Sequence, residues 1–168
     1  YTRTDEGKAY PVHYRRKGRM AAREETIQNV NQLAAGKKVF YFQQPVVSPD
    51  NRLAAFRTNS RGDRKFTITI KDLSTGKMLP DSLPDKAAGS FAWTNDSRQF
   101  FYVEYDKTIR PYKVMLHTLG TPETADREVF AEKDSTFYVS IYTSTDRKYL
   151  FIQSGSFTSS EVYYLPLS

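Results

Sequence analysis

The sequence predicts an all-β protein, a partial β-propeller of about three to four four-stranded antiparallel blades, and three observations carry that prediction. The 12 Tyr and 11 Phe supply nearly all the aromatic content, and such side chains favour strands because their rings cover a pleated, half-buried surface. A hydroxyl-x-Asp-x-basic segment recurs between apolar runs as Ser48-Pro49-Asp50-Asn51-Arg52, Thr94-Asn95-Asp96-Ser97-Arg98 and Ser144-Thr145-Asp146-Arg147-Lys148. Its aspartates lie 46 and then 50 residues apart, the spacing of propeller blades. Finally, Phe66, Ile68 and Ile70 alternate with Thr67, Thr69 and Lys71, the period of a strand with one polar face.

Each element follows from these marks. The Asp of each segment can accept bonds from nearby backbone N–H groups, which makes the segment a hairpin turn. Upstream of the three turns the sequence places inner strands over 40–47, 90–93 and 137–142, and downstream a second set over 53–58, 99–105 and 149–154. A third set covers 65–73, 112–119 and 161–165. Outer strands follow over 77–79 and 127–130, after the loops Ser74-Thr75-Gly76 and Gly120-Thr121-Pro122-Glu123. Ahead of the repeats, 1–4, 9–16 and 24–30 read as three more strands. The one helical candidate, a short connector over Asn31 to Gly36, has Asn in front and Gly behind as caps. The resulting division is a short first blade and connector over 1–36, blades over 37–86 and 87–134, and an incomplete blade over 135–168.

Composition narrows the function classes. With 39% hydrophobic and 26% charged residues the chain should pack rather than stay disordered. The net charge of +6 suits acidic partners, yet the basic residues read as scattered, and the run Arg15-Arg16-Lys17 before Gly18 reads as a solvated turn. Nucleic acid and membranes are therefore not expected partners. The chain has no cysteine, so disulfides and thiolate metal sites are excluded. No apolar stretch approaches the roughly 18 residues of a spanning helix. The first residue is Tyr1 rather than Met, and the expectation is an excerpt from a larger protein.

Several segments, in order, resemble the first blades of the oligopeptidase B group (protease II) of the prolyl oligopeptidase family of serine peptidases. They are Glu6-Gly7-Lys8-Ala9-Tyr10-Pro11-Val12, Arg15-Arg16-Lys17-Gly18, Ala92-Trp93-Thr94-Asn95-Asp96, Arg110-Pro111-Tyr112-Lys113-Val114, His117-Thr118-Leu119-Gly120-Thr121-Pro122, Phe137-Tyr138-Val139-Ser140 and Thr158-Ser159-Ser160-Glu161-Val162. The likeness runs through essentially the whole chain. It implies a hydrolase with two domains: an α/β-hydrolase domain with a Ser-His-Asp triad, and a seven-bladed propeller that caps it and admits only short peptides. Members of the group cleave after Arg or Lys. The expected partners are thus the hydrolase domain of the same parent chain and passing oligopeptides, with a cytoplasmic location favoured by the resemblance and a periplasmic one left open.

No residue is assigned as catalytic, cofactor-binding or metal-binding, and no cofactor is expected. The G-x-S-x-G elbow of a serine hydrolase is absent; Ser154-Gly155-Ser156 and Gly89-Ser90 come nearest, and both read as loop. His13 and His117, the only histidines, lie in expected strands and read as structural. Glu24 and Glu25 should point to opposite faces of a strand. Arg61-Gly62-Asp63 fits a hairpin tip, and Trp93 reads as a packing residue between blades rather than a ligand platform. The function expected is a non-catalytic, substrate-gating segment. The alternative is a free-standing β-rich binding module, suited to acidic ligands. An excised piece of a ring should also self-associate through an uncovered blade face, with Phe137, Val139, Phe151 and Ile152 at one end and Tyr10, Val12 and Tyr14 at the other as the expected exposed residues.

Overall fold

The computed structural model describes residues 1–167; Ser168, the end of the expected incomplete blade, lies outside them. With one exception the strands form near the expected positions: β1 (Thr2–Arg3), β2 (Val12–Arg16), β3 (Glu24–Asn29), β4 (Tyr41–Val47), β5 (Leu53–Asn59), β6 (Phe66–Asp72), β7 (Met78–Trp93), β8 (Gln99–Tyr105), β9 (Pro111–Thr118), β10 (Arg127–Ala131), β11 (Tyr138–Thr143), β12 (Tyr149–Gly155) and β13 (Ser160–Pro166). They make three antiparallel sheets: β1-β2-β3, a seven-stranded sheet β4 to β10 in sequence order, and β11-β12-β13. This is the curled, mostly β architecture of a propeller segment.

The three Asp turns are superimposable in their bonding. Ser48 Oγ, Thr94 Oγ1 and Ser144 Oγ donate to Asp50, Asp96 and Asp146 at 2.6, 2.7 and 2.7 Å. The same carboxylates accept the backbone N–H of Arg52, Arg98 and Lys148 at 3.0, 3.0 and 3.1 Å. Each turn also puts one residue, Asn51, Ser97 or Arg147, at a φ near +60° (62°, 60° and 57°). That left-handed conformation is uncommon for residues other than glycine, so the carboxylate bonds hold a backbone that would not form by itself.

One strand departs from expectation. The separate strands over 77–79 and 90–93 are a single strand, β7, of 16 residues. Its first half pairs with β6 (Lys71↔Met78, Ile68↔Leu83) and its second half with β8 (Phe91↔Tyr102, Trp93↔Phe100), with Ala87 opposite both Phe66 and Glu104. Pro80 lies where β7 pairs with β6 alone, and Pro84 lies in the register shift between Leu83 and Ala87; one-sided pairing and bulges are where a strand tolerates a missing N–H. The change of partner coincides with Asp85 at φ 58°, where the strand bends from one half of the sheet into the other.

The bend folds the seven-stranded sheet on itself around Ala55, Ile68, Ile70, Leu83, Trp93, Phe100 and Tyr102, all at most 2% exposed. A second core lies between the β8–β9 half and the last sheet, built from Phe101, Val103, Val114, Val139, Ile141, Leu150 and Ile152. The first sheet is tied on by Lys71 Nζ, which donates to Ile27 O at 2.8 Å, by Arg15 Nη1 to Asn51 O at 2.6 Å, and by His13 packed on Phe42. Helix α1 (Val30–Ala34) starts one residue earlier than expected, capped by Asn29, because the Asn31 side chain is engaged with both backbone groups of Tyr10.

The outward face of the last sheet holds only part of the expected set: Phe151, half-buried, lies there stacked on Tyr142. Val139 and Ile152 are buried, and so are Val12 and Tyr14 at the other end. Tyr138, Tyr142, Tyr149, Val162 and Tyr164 face outward instead. Alternation gives two sets per strand, and only the position of the neighbouring sheet selects between them.

Candidate functional site

The structure brings together the two segments that come nearest to a nucleophile motif. Gly89-Ser90, on β7, and Gly155-Ser156, at the end of β12, lie on facing walls of an open cleft of about 440 Å³, with Tyr138 and Gln153 also lining it. Two buried arginines set its shape. Arg57 Nη1 donates to Gly89 O, and burial lowers its guanidinium pKa to about 10, with Tyr105 opposing. Arg110 bonds Asp106 at 2.9 Å and donates to Asp134 O and Phe137 O at 2.9 and 2.8 Å, which fixes the approach to β11 and hence Tyr138. Burial works against an ionised Asp106, but hydrogen bonds from Thr108 and Arg110 outweigh it and hold the carboxyl well below the usual range.

Two of the serine hydroxyls in these segments are committed elsewhere. Ser154 is fully buried and donates to Glu132, a bond that with the Asp134 N–H keeps the Glu132 carboxyl low. Ser156 Oγ accepts from Thr158 N and Ser159 N inside its own turn, at 3.3 and 3.2 Å. No histidine, aspartate, glutamate or lysine lines the cleft. Serine hydroxyls, the Gln153 amide and the exposed ring of Tyr138 line the cleft, with the exposed Phe157 beside it. Proton transfer needs a base within hydrogen-bond reach, and its walls offer none.

The remaining candidates are dispersed. His13 is buried against Phe42, and burial lowers its pKa. Glu24 and Glu25 engage different cations, Arg3 at 3.5 Å and Arg15 at 2.8 Å. Arg61-Gly62-Asp63 forms the β5–β6 tip: Asn59 Oδ1 accepts the Arg61 and Gly62 N–H groups, and Arg61 pairs with Asp63 and Asp85. The Arg61 hydrogen bond is the main reason the Asp63 carboxyl falls to about 2. Trp93 is 1% exposed, and its Nε1 donates to Val46 O at 2.8 Å. Among the described residues no three His, Asp or Glu side chains are grouped to hold a metal ion.

One cluster escapes sequence reasoning. His117, 1% exposed, has Asp126 at 2.6 Å from Nδ1 and Asp81 at 3.4 Å from Nε2, while Tyr102 donates to Asp126 at 2.8 Å. Burial, then the Asp126 bond, drives the Tyr102 pKa far up. The members come from β7, β8, β9 and the turn before β10, so no sequence spacing signals them; the cluster clasps the two halves of the folded sheet.

Comparison with known proteins agrees with this geometry. The family described as prolyl oligopeptidase, N-terminal beta-propeller domain, matches residues 1–168. The chain is 37% identical to dipeptidyl aminopeptidase BI of Pseudoxanthomonas mexicana over 99% of its length, and 32% identical to protease 2 of Moraxella lacunata over 98%. Oligopeptidase B from Leishmania major superposes on 99% of the chain with a TM-score of 0.91 at 31% identity. A closed form of the Trypanosoma brucei enzyme with covalently bound antipain gives 0.89 at 28%. The chain spans about a quarter of the length of these relatives (25%, 25%, 24% and 24%). This chain belongs to the prolyl oligopeptidase family and is part of its N-terminal β-propeller domain.

Proposed function

We propose that this chain forms part of the gate over a serine peptidase active site, admitting short peptides to a hydrolase domain of the same polypeptide and taking no direct part in bond cleavage. The observation that carries the reading is the end-to-end likeness to oligopeptidase B. In this reading residues 37–86 and 87–134 are two blades sharing β7, residues 135–168 an incomplete one, and residues 1–36 a short first blade with its connector. Gating needs a wall that does not yield. The Asp turns, the Arg110 bonds and the His117 cluster supply one, because each ties segments whose separation would leave hydrogen-bonding groups without their partners. The cleft beside Ser90 and Tyr138 suits passage of an extended chain, and the substrate class that the resemblance implies is oligopeptides cut after Arg or Lys.

The test compares the intact protein with residues 1–168 alone. The intact protein should hydrolyse a short arginyl reporter peptide and leave the same sequence uncut within a folded protein, while the isolated chain stays at the blank. Equal cleavage of folded and short substrates would remove the gating role. Turnover by the isolated chain that vanishes on mutating one of its serines would remove the non-catalytic assignment.

A further inference from the structure

Half of the chain's excess positive charge lies on one hairpin, β2–β3, where five cations stand against Glu24 and Glu25. Lys and Arg number 25 against 19 Asp and Glu, a net charge of +6, and residues 15–23 alone hold Arg15, Arg16, Lys17, Arg19 and Arg23 with no acid. The run Arg15-Arg16-Lys17, expected as a solvated turn, leads into the exposed end of that hairpin. These residues close the β2–β3 hairpin, whose tip carries Met20 at 83% exposure. Arg15 is paired with Glu25, and Arg16 Nη1 donates to Met20 O. Among the described residues the Lys17, Arg19 and Arg23 side chains have no ion-pair or hydrogen-bond partner.

Beside the hairpin lies a groove of about 430 Å³, walled by Arg15, Arg16 and Lys17 on one side and Asn51 on the other, with Ile27 and Val47 as its apolar floor. The Arg15 bond to Asn51 O bridges the two walls, so the groove exists before any ligand arrives. Asp50, also on the wall, has its carboxylate turned to Ser48 Oγ and the Arg52 N–H.

We infer that this hairpin and groove form a docking site for an acidic polypeptide segment, with carboxylates on Arg16, Lys17, Arg19 and Arg23 and an apolar side chain on Ile27 and Val47. The three unpartnered cations offer charge complementarity, and a preformed groove lowers the ordering cost of binding. A nucleic acid fits less well, because no aromatic ring lines the groove for base stacking. A membrane surface fits less well too, since Met20 is the one large apolar side chain at the tip and interfacial binding scales with apolar area.

The probe is a fluorescein-labelled Glu/Leu peptide, with a Gln/Leu peptide as its uncharged counterpart, read by anisotropy on the intact protein at low and at physiological salt. The Glu/Leu peptide should bind at least about tenfold more tightly than the Gln/Leu one and weaken as salt shortens the screening length. Combined Lys17→Glu, Arg19→Glu and Arg23→Glu should weaken it by about tenfold or more. The charge-matched control Lys38→Glu, Lys107→Glu and Lys133→Glu, all on exposed residues, should leave binding within about twofold. If the triple variant unfolds by circular dichroism, the milder Arg19→Gln with Arg23→Gln gives the same readout with a smaller loss. Equal losses in hairpin and control variants would reduce the effect to net charge and overturn the site. So would full binding by the hairpin variant, or hairpin-dependent binding of duplex DNA or anionic vesicles without binding of the Glu/Leu peptide.

Discussion

The crease inside the seven-stranded sheet and the outward face of the last sheet are both rich in aromatic side chains, yet they are finished differently. In the crease Trp93, Phe100 and Tyr102 are at most 1% exposed and contact one another at 5.5 and 6.1 Å between ring centroids. Every polar handle there has a partner: Val46 O for the indole N–H and Asp126 for the Tyr102 hydroxyl. On the last sheet Tyr142 stacks on Phe151 at 5.1 Å and Tyr149 meets Tyr164 edge-on at 5.6 Å, but these tyrosines are 39–68% exposed. The difference teaches that ring contacts within one sheet do not finish a core; a second layer must cover the rings and meet their hydroxyls.

The sharpest way to break the comparison is to delete one ring from each region. Trp93→Ala should cost about 3–5 kcal/mol in urea unfolding, whereas Tyr164→Ala should stay within about 0.5 kcal/mol. The readout at the outward face is association instead. Sedimentation velocity of the isolated chain across a dilution series should show self-association that Tyr142→Ser combined with Tyr164→Ser reduces. A strictly monomeric wild-type chain would mean that the outward face needs no cover.

Removing only the hydroxyl isolates the polar part of the difference. Tyr102→Phe leaves a buried Asp126 oxygen without its donor and should lose about 1–3 kcal/mol, while Tyr142→Phe should be neutral in the same melt. Equal effects would show that Asp126 finds another donor when Tyr102 cannot supply one.

The turns extend the comparison from sheet centres to their ends. Asp96→Ala removes the acceptor for the Thr94 hydroxyl and the Arg98 N–H and should cost about 1 kcal/mol; Asp146→Ala, in the more exposed third copy, should cost less. Both carboxyls sit below their ordinary pKa, chiefly through the Thr94 and Ser144 hydrogen bonds. Their contribution is therefore present above about pH 4 and lost as the pH falls through their folded values.

The smallest effect concerns the first sheet. His13 has a lowered pKa, so between its folded value and the unfolded value of about 6.5 the unfolded chain binds the extra proton. Stability then falls as the pH drops below that unfolded value, and levels off beneath the folded one. Urea midpoints from pH 7.5 to 5 should decline for the wild type and flatten for His13→Phe. An unchanged slope would place the acid sensitivity elsewhere.

Much of this architecture was legible in the order of residues. The hydroxyl-x-Asp-x-basic turns and the strands around them are decided by bonds spanning two to five residues and by alternation within a strand, and both can be read locally. The helix was legible to within two residues for the same reason. Candidate chemistry was legible only in part: Ser154 and Ser156 could be set aside because no elbow surrounds them, but nothing local showed that Gly89-Ser90 would face them across a cleft.

The sequence by itself determined the repeat, the turns and the all-β class, because those depend on near neighbours along the chain. Tertiary structure alone decided that β7 runs unbroken past two prolines, since only the one-sided pairing around Pro80 and the register shift at Pro84 make their missing N–H groups harmless. It also decided which alternate set of the last sheet faces out, and that Asp81, Tyr102, His117 and Asp126 meet. Burial and long-range polar contact depend on where other strands lie, and a residue's own neighbours in sequence carry no record of that.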